Sequence, residues 1–301
     1  MDGILLLDKR VGLSSNQALQ EVRRLFNAEK AGHTGSLDPL ASGMLPICFG
    51  EATKLSGLLL DSDKRYRARI RLGQKTTTGD AEGEVIAQSD ASLVAMDTLL
   101  AAAPQFVGEI QQIPPMYSAL KHEGRRLYEL ARAGEVIDRP ARAIRIHELK
   151  LLSLDAGELS IEVACSKGTY IRTLAEDLAA AVGQCAHLSG LRRVSVNPFC
   201  QHRMWTWAEL EAIAQKGLGA LDACLLPIRC GVAGWPEIQL EQADLVHLAQ
   251  GRAVQMADLA RAFAPGEVAV LDGQGLLRAI ARMDEAGLLS PRRWLGGEVL
   301  A

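Results

Sequence analysis

The sequence predicts an α+β fold, with a mixed, largely antiparallel body and a small β-rich C-terminal domain. Period-two alternation of apolar and polar residues marks strands at 64–72, 142–152 and 158–164. Helical segments lie scattered between these strands without regular βαβ alternation. Residues 266–283 (GEVAVLDGQGLLRAIARM) read as two strands joined near Asp272-Gly273, a strong hairpin signal. At roughly 150 residues per domain, the 301 residues allow one large domain and a small companion. The boundary is placed near 235, where RCGVAGWPEI changes character, dividing the chain into 1–235 and 236–301.

The elements follow in order. Residues 3–7 (ILLL within it) form a buried strand. Ser14 and Gln17 make a capping box that opens a helix with the apolar stripe Leu19, Val22, Leu25 and Phe26. From Gly32 to Gly50 four glycines and two prolines break the pattern, so an ordered loop is expected there. After strand 64–72 come a polar turn region (KTTTGDAEGEV), a helix near 91–103, and a Pro-Pro start at 114 leading to a helix that ends at Gly134. TYIRTLAEDLAAAVG is a helix with Gly183 just past its end. A further helix starts at the capping box Thr206 to Glu209.

Composition narrows the class. With 48% hydrophobic and 23% charged residues and a net charge of -3, the chain is neither disordered nor fibrous. No stretch approaches the ~18 uninterrupted apolar residues of a membrane span, and a soluble, cytoplasmic protein with no membrane partner is expected. Six cysteines, read as reduced core or surface thiols, and six histidines are scattered without zinc spacing, so no metal is expected. The last 71 residues hold six basic and nine acidic side chains, and the remainder balances at 27 against 27. Within that neutral body KRYRARIRLGQK carries six cations and no acid. Its alternation sets Arg65, Arg67, Arg69 and Arg71 opposite Tyr66, Ala68, Ile70 and Leu72. Such a face either lies against an anion such as phosphate or belongs to a solvated edge strand that uses charge to prevent edge pairing.

No phosphate-binding loop, dinucleotide fingerprint or G-x-S-x-G elbow is present. What stands out is Asp38, the one acid between Gly32 and Gly50. Either it is a turn residue before Pro39, or it is a nucleophile or base ionised by an arginine, for which Arg172, after Lys167-Gly168-Thr169-Tyr170, is the candidate.

Four blocks, GHTGSLDPLASGMLPICFGEATK, DSDKRYRARIRLGQKTTTGDAEGEV, PPMYSALKHEGRRLYELARAG and CSKGTYIRTLAEDL, occur in order over nearly the whole chain. Together they resemble bacterial tRNA pseudouridine synthases of the TruB type, within the TruB/dyskerin family. Residues from about 240 are similar to a PUA RNA-binding domain. The resemblance implies a pseudouridine-synthase catalytic domain with an RNA-binding insertion at about 104–150. It implies isomerisation of uridine 55 in the tRNA T-loop, without metal or cofactor, after the base is flipped out. The family's essential aspartate falls on Asp38, as nucleophile or as the base that starts elimination. Tyr66 would stack on the flipped uracil and help remove the C5 proton. Arg172 would pair with Asp38 and hold it ionised. Tyr170 and Leu191 would close the uridine pocket, and His33 would support the loop by stacking. Lys9 matches the opening D-K-x-x-G, whereas Arg10 stands where the family usually has proline.

A base inside a folded loop must be extruded before its glycosidic bond can react, at a cost of a few kcal/mol. The arginine face and the basic residues Lys121, Arg125, Arg126 and Arg132 are expected to grip the T-stem and loop. The expected partner is tRNA alone, bound by a monomer without guide RNA. The competing readings are the guide-dependent catalytic subunit of a box H/ACA particle and a non-catalytic RNA-binding module.

Overall fold

The computed structural model describes residues 1–256 and 264–296. Its strands, in chain order, are β1 (Gly3–Lys9), β2 (Ala31–His33), β3 (Ala41–Phe49), β4 (Lys64–Leu72), β5 (Gln74–Thr76), β6 (Val85–Gln88), β7 (Gly108–Gln112), β8 (Lys121–His122), β9 (Arg125–Arg126), β10 (Arg142–Asp155), β11 (Glu158–Cys165) and β12 (Ala186–Val196). The C-terminal strands are β13 (Glu237–Gln239), β14 (Val254–Gln255), β15 (Gly266–Leu271), β16 (Leu277–Met283) and β17 (Leu288–Trp294). The helices are α1 (Ser15–Leu25), α2 (Ser56–Leu60), α3 (Met96–Ala102), α4 (Leu127–Arg132), α5 (Ile171–Ala180), α6 (Trp207–Ala214), α7 (Leu218–Asp222) and α8 (Gln242–Ala249).

One sheet runs β1-β3-β12-β4-β11-β10-β7, with β2 paired to β3 off this path; a second runs β13-β15-β16-β17-β14. Every pairing in the first is antiparallel except β3 with β12. In the second, only β13 with β15 is parallel. No helix among the described residues is long and apolar enough to cross a membrane.

Both expected helix starts form as capping boxes, at Ser14 with Gln17 and at Thr206 with Glu209, because each side chain satisfies the other's free backbone N–H. Gly134 and Gly183 take positive φ just after α4 and α5, where a side chain would be strained. The helix expected near 91–103 is confined to α3. The 266–283 hairpin forms, but the turn is longer than a two-residue one: Asp272 accepts from the N–H groups of Gln274 and Leu276, and Gly275 takes the positive φ.

The expected loop at 32–50 is corrected. Its second half is β3, a strand buried on both faces, preceded by the short β2. A strand covered on both sides reads as a continuous apolar run, so LPICF carries no alternation to announce it. One face of β1 and β3 packs on α1, α6 and α7 through Leu5, Leu7, Leu45 and Phe49. The other, with Ile4, Leu6 and Met44, meets Ala269 and Ile280 of the C-terminal sheet. That sheet therefore shares a core with the body. The glycines serve close approach: at Gly43, φ +100, a Cβ would stand 2.2 Å from the carbonyl oxygen of Arg193 on β12.

The arginine strand is also corrected. β4 is no edge; it lies between β12 and β11. Its apolar face, Tyr66, Ala68, Ile70 and Leu72, joins a core with Leu174, Leu178 and Ile161 under α5. Three of its four arginines find carboxylates within the protein, while Arg71 donates to the Ala156 carbonyl. Antiparallel register sets Glu162 opposite Arg67 and Glu158 opposite Arg71 on the same side. Arg65 pairs with Glu148 at 2.6 Å and Glu162 at 3.0 Å, Arg67 with Glu162 at 2.8 Å, and Arg69 with Glu158 at 3.7 Å. Acids 83 to 97 residues away in sequence thus supply the anions for three of the four arginines.

Within the stretch 104–150, both ends belong to the main sheet, as β7 and the start of β10. Residues 113–141 leave it, carrying the β8-β9 ribbon and α4. There Lys121, Arg125, Arg126 and Arg132 are exposed, the last two lying over the Tyr128 ring.

Gly43→Ala is expected to lower stability by roughly 3 kcal/mol, since it adds a left-handed strain to a backbone clash that nothing flexible can relieve. Urea denaturation of parent and variant checks this; equal midpoints would contradict the close packing of β3 on β12.

Candidate active site

The loop that carries Asp38 is tied down from two sides. Ser15, buried at the first turn of α1, donates to the Leu37 carbonyl at 3.1 Å and accepts from its N–H at 2.7 Å. The Asp38 carbonyl accepts from Ala41 N–H at the start of β3. Lys9, at the end of β1, donates to the carbonyls of Leu13 and Arg10 and so closes the neighbouring turn. Arg10 itself points away, pairing with Glu21 at 3.1 Å and lying over the Trp207 ring, so the absence of the usual proline leaves this turn closed.

Asp38 opens into a cleft of about 340 Å³, within the ~300–1,000 Å³ typical of small-ligand sites. Tyr66, Tyr170, Arg172 and Leu191 share its walls, so five of the six sequence-nominated residues converge from a loop, two strands and the start of a helix. His33 does not: it lies on β2, opposite Ile47, outside the cleft walls. Burial and the nearby Arg193 charge push its imidazole below the ordinary value, so it is neutral at pH 7. A second hollow of about 420 Å³ on the polar face of the sheet, beside Arg67, Arg69 and Arg192, has no acid in its walls.

Arg172 is the hub of the cleft. Its side chain is only 6% exposed, and its Nη2 stands 3.1 Å from Asp38 Oδ2. Position 2 of α5 aims the guanidinium at that loop, and three more partners hold it there: Thr78 carbonyl at 2.9 Å, Tyr117 carbonyl at 2.7 Å and the Asp80 carboxylate at 3.8 Å. The Asp38 carboxylate keeps an open side, 41% exposed, toward the cleft. Confinement among protein atoms nonetheless pushes its carboxyl above the ordinary carboxylate range; Arg172 pulls it back, Asp80 adds to the rise, and Lys9 opposes it. The guanidinium therefore limits a rise that burial causes.

Tyr66 is 7% exposed, and burial raises its hydroxyl while Arg193 beside it pulls the other way. Tyr170, the N-cap of α5, is held by Gln112 of β7. The amide oxygen of Gln112 accepts from the Tyr170 N–H at 2.7 Å and its nitrogen donates to the Tyr170 carbonyl at 3.1 Å. Leu191 on β12 pairs with Ala41 and Ala68, between the loop of Asp38 and the strand of Tyr66. Asp80, Gln112, Lys64 and Arg193 escaped nomination. Asp80 looks like one more polar residue of a turn, Gln112 like strand surface, and neither has a neighbour in sequence that signals its contact. Among the described residues no group of three or more His, Cys, Asp or Glu is arranged to hold a metal.

The whole chain overlays the solved structure described as a Cbf5-Nop10-Gar1 complex with a TM-score of 0.74, covering 98% of this chain and 85% of that one at 23% identity. An H/ACA RNP bound to a substrate RNA containing 2′-deoxyuridine overlays with 0.73 at 21% identity, over the same shares. The fold is that of Cbf5. Family models match in succession: TruB family pseudouridylate synthase, N-terminal domain, over 23–171; tRNA pseudouridylate synthase B C-terminal domain over 172–233; and pseudouridine synthase II TruB, C-terminal, over 236–295. The tRNA pseudouridine synthase B of Ectopseudomonas mendocina is 50% identical over 97% of this chain and 95% of its own length, and that of Pseudomonas aeruginosa 49% over the same shares. The chain belongs to the bacterial TruB family; it is a tRNA pseudouridine synthase, an isomerase.

Gln112→Ala would leave the Tyr170 N–H without its partner and take from the Tyr170 carbonyl one of its two donors, the other being the Leu174 N–H. A loss of about 2–3 kcal/mol in stability is expected, read by thermal or urea unfolding, together with faster amide exchange at the start of α5. Unchanged exchange there would show that Gln112 does not hold Tyr170.

Proposed function

We propose that this cleft isomerises uridine 55 in the T-loop of tRNA, acting as a stand-alone, monomeric enzyme without guide RNA or cofactor in the cytoplasm. The observation that carries the reading is the Asp38–Arg172 contact of 3.1 Å at an open cleft whose other walls include Tyr66, Tyr170 and Leu191. A carboxylate that is confined, ion-paired on one oxygen and open on its other side is suited to act as nucleophile or base. The uridine would leave the loop stack and enter the cleft, with Tyr66 against its ring and Tyr170 and Leu191 closing over it. Asp38 then starts the cleavage of N1–C1′, the base turns, and C5 joins C1′. His33, neutral and outside the cleft, suits stacking in the vacated T-loop rather than pairing with phosphate.

Phosphate contacts fall to the exposed cations around Tyr128 at 121–132: among the described residues Lys121, Arg126 and Arg132 make no ion pair, whereas Arg65, Arg67 and Arg69 of β4 have carboxylate partners. We assign 1–235 to the catalytic domain, including the RNA-binding segment expected at 104–150, and 236–301 to a PUA-like RNA-binding domain. The guide-dependent reading is separated from this one by activity on bare tRNA.

Tritium release from an unmodified tRNA transcript labelled at C5 of uridine, with the product position mapped, tests the reading. The parent should release label at the T-loop uridine, and Asp38→Asn should fall by at least about 10⁴-fold, as expected for loss of a group acting directly in the chemistry. No release from bare tRNA would end the stand-alone reading.

The pH profile gives a second check. A raised Asp38 places the acid limb of the single-turnover rate above the ~3.9 of an ordinary aspartate. Asp80 contributes to that rise, so Asp80→Asn removes a like charge, lowers the Asp38 value and shifts the limb to lower pH. A shift to higher pH would contradict the arrangement.

A further inference from the structure

Opposite Asp38, the same cleft is lined by two cations that the account above leaves without a task. Arg193 on β12 is 1% exposed and Lys64 at the start of β4 is 9% exposed. Both face the cleft. Arg193 donates through Nε to the Met44 carbonyl at 2.7 Å and through Nη2 to the Gly35 carbonyl at 3.1 Å. Lys64 donates to the carbonyls of Leu60 and Ser62. They meet at Gly35, where an added Cβ would lie 3.6 Å from Arg193 Nη1 and 3.9 Å from Lys64 Cε. Among the described residues neither makes an ion pair. The nearest acids are engaged elsewhere, Asp61 with Lys167 at 2.7 Å and Asp63 with His147 at 3.2 Å. Two buried like charges held together by neutral carbonyls are costly unless an anion arrives.

We propose that Lys64 and Arg193 stabilise the negative charge that appears on the uracil carbonyl oxygens while the base is detached from C1′. The inference rests on the reading of this cleft as the place of isomerisation. It holds whichever route Asp38 opens. If a carboxylate oxygen bonds to C6, the ring double-bond pair moves onto C5 and the C4 carbonyl oxygen. If the carboxylate attacks C1′, or removes the C2′ proton, the N1–C1′ pair leaves with the base and spreads over N1 and both carbonyl oxygens. In each case C5 bonds to C1′, the C5 proton is lost and N1 takes one up, while the carboxylate is released from C6 or C1′ or returns the C2′ proton. Tyr66 lies beside Arg193 and on the same strand as Lys64, so a ring stacked on Tyr66 has its oxygens within this corner of the cleft. Preorganised, dehydrated charges act most strongly on charge that develops in the reaction, because nothing has to reorient when it appears. A backbone phosphate is disfavoured as occupant, since the guanidinium lies in the protein interior rather than at the rim.

Burial, with Arg193 adjacent, brings the Lys64 ammonium down to about 8, while Asp61 and Asp63 oppose the fall; Cys165 is its register partner on β11. Cys165, itself pushed up to about 11, remains a neutral thiol at that pH. Deprotonation of Lys64 would remove one of the two charges, so the rate should decline above about pH 8.

The test uses single-turnover pseudouridine formation in bare tRNA at saturating enzyme, together with the affinity for that tRNA, for the parent, Lys64→Gln, Lys64→Met and Lys64→Arg. Gln keeps donors for the Leu60 and Ser62 carbonyls while removing the charge, so its folding is the better protected. Gln and Met should each slow the chemical step about 100-fold, with affinity within about twofold. Arg should recover most of the rate and move the alkaline decline to higher pH. An unchanged rate in Gln and Met, or a loss carried wholly by weaker tRNA binding, overturns the proposal, the latter in favour of a phosphate anchor. A parent that forms no pseudouridine in bare tRNA instead sinks the function on which the proposal rests.

Discussion

A buried guanidinium with four backbone and carboxylate partners is the fixed point of this structure. Arg172 can hold Asp38 at 3.1 Å only because α5 starts where it does, and that start depends on Gln112 gripping the Tyr170 backbone from β7. Thr78, Asp80 and Tyr117 reach the same guanidinium from two connecting segments. The strands, the turn after β5 and the segment after β7 therefore converge on one cation. Removing any of these contacts would leave a charge in a poorly hydrated place, which explains why so many chain segments meet there.

The central strand β4 shows how one sequence pattern serves two purposes. Its apolar side builds the core under α5 and ends in the cleft with Tyr66. Its arginine side is locked to glutamates of β10 and β11, so it contributes to the order of the sheet. Exposed ion pairs of this kind contribute little each, but their alternation also opposes a one-residue slip that would bury arginines. With net charge -3, positive charge is gathered in local regions such as 121–132 and not in an overall field.

Within the cleft, the charged side chains fall into two groups. Asp38 has Arg172 and Asp80 on one side, while Lys64 and Arg193 stand together at Gly35. Burial moves Asp38 up and Lys64 down, toward each other and toward neutral pH. Environments that push two titratable groups in opposite directions within one small space are the kind that set acid and base roles apart.

The α+β class, both capping boxes, the C-terminal hairpin and the blocks holding Asp38, Tyr66, Tyr170, Arg172 and Leu191 were all legible in the sequence, because they depend on local periodicity, on turn chemistry or on motifs that read contiguously. β3 was not legible: a strand covered on both faces shows no alternation, and its glycines signalled a loop although Gly43 serves close packing. Nor could the arginine face disclose its partners, since Glu148, Glu158 and Glu162 reach it only through strand register. Asp80, Gln112, Lys64 and Arg193 gained their places in the same way. The sequence by itself determined which elements form and which family's residues they carry. Only the tertiary structure decided which charges are dehydrated and which find partners, because electrostatic energy depends on distances between atoms far apart along the chain.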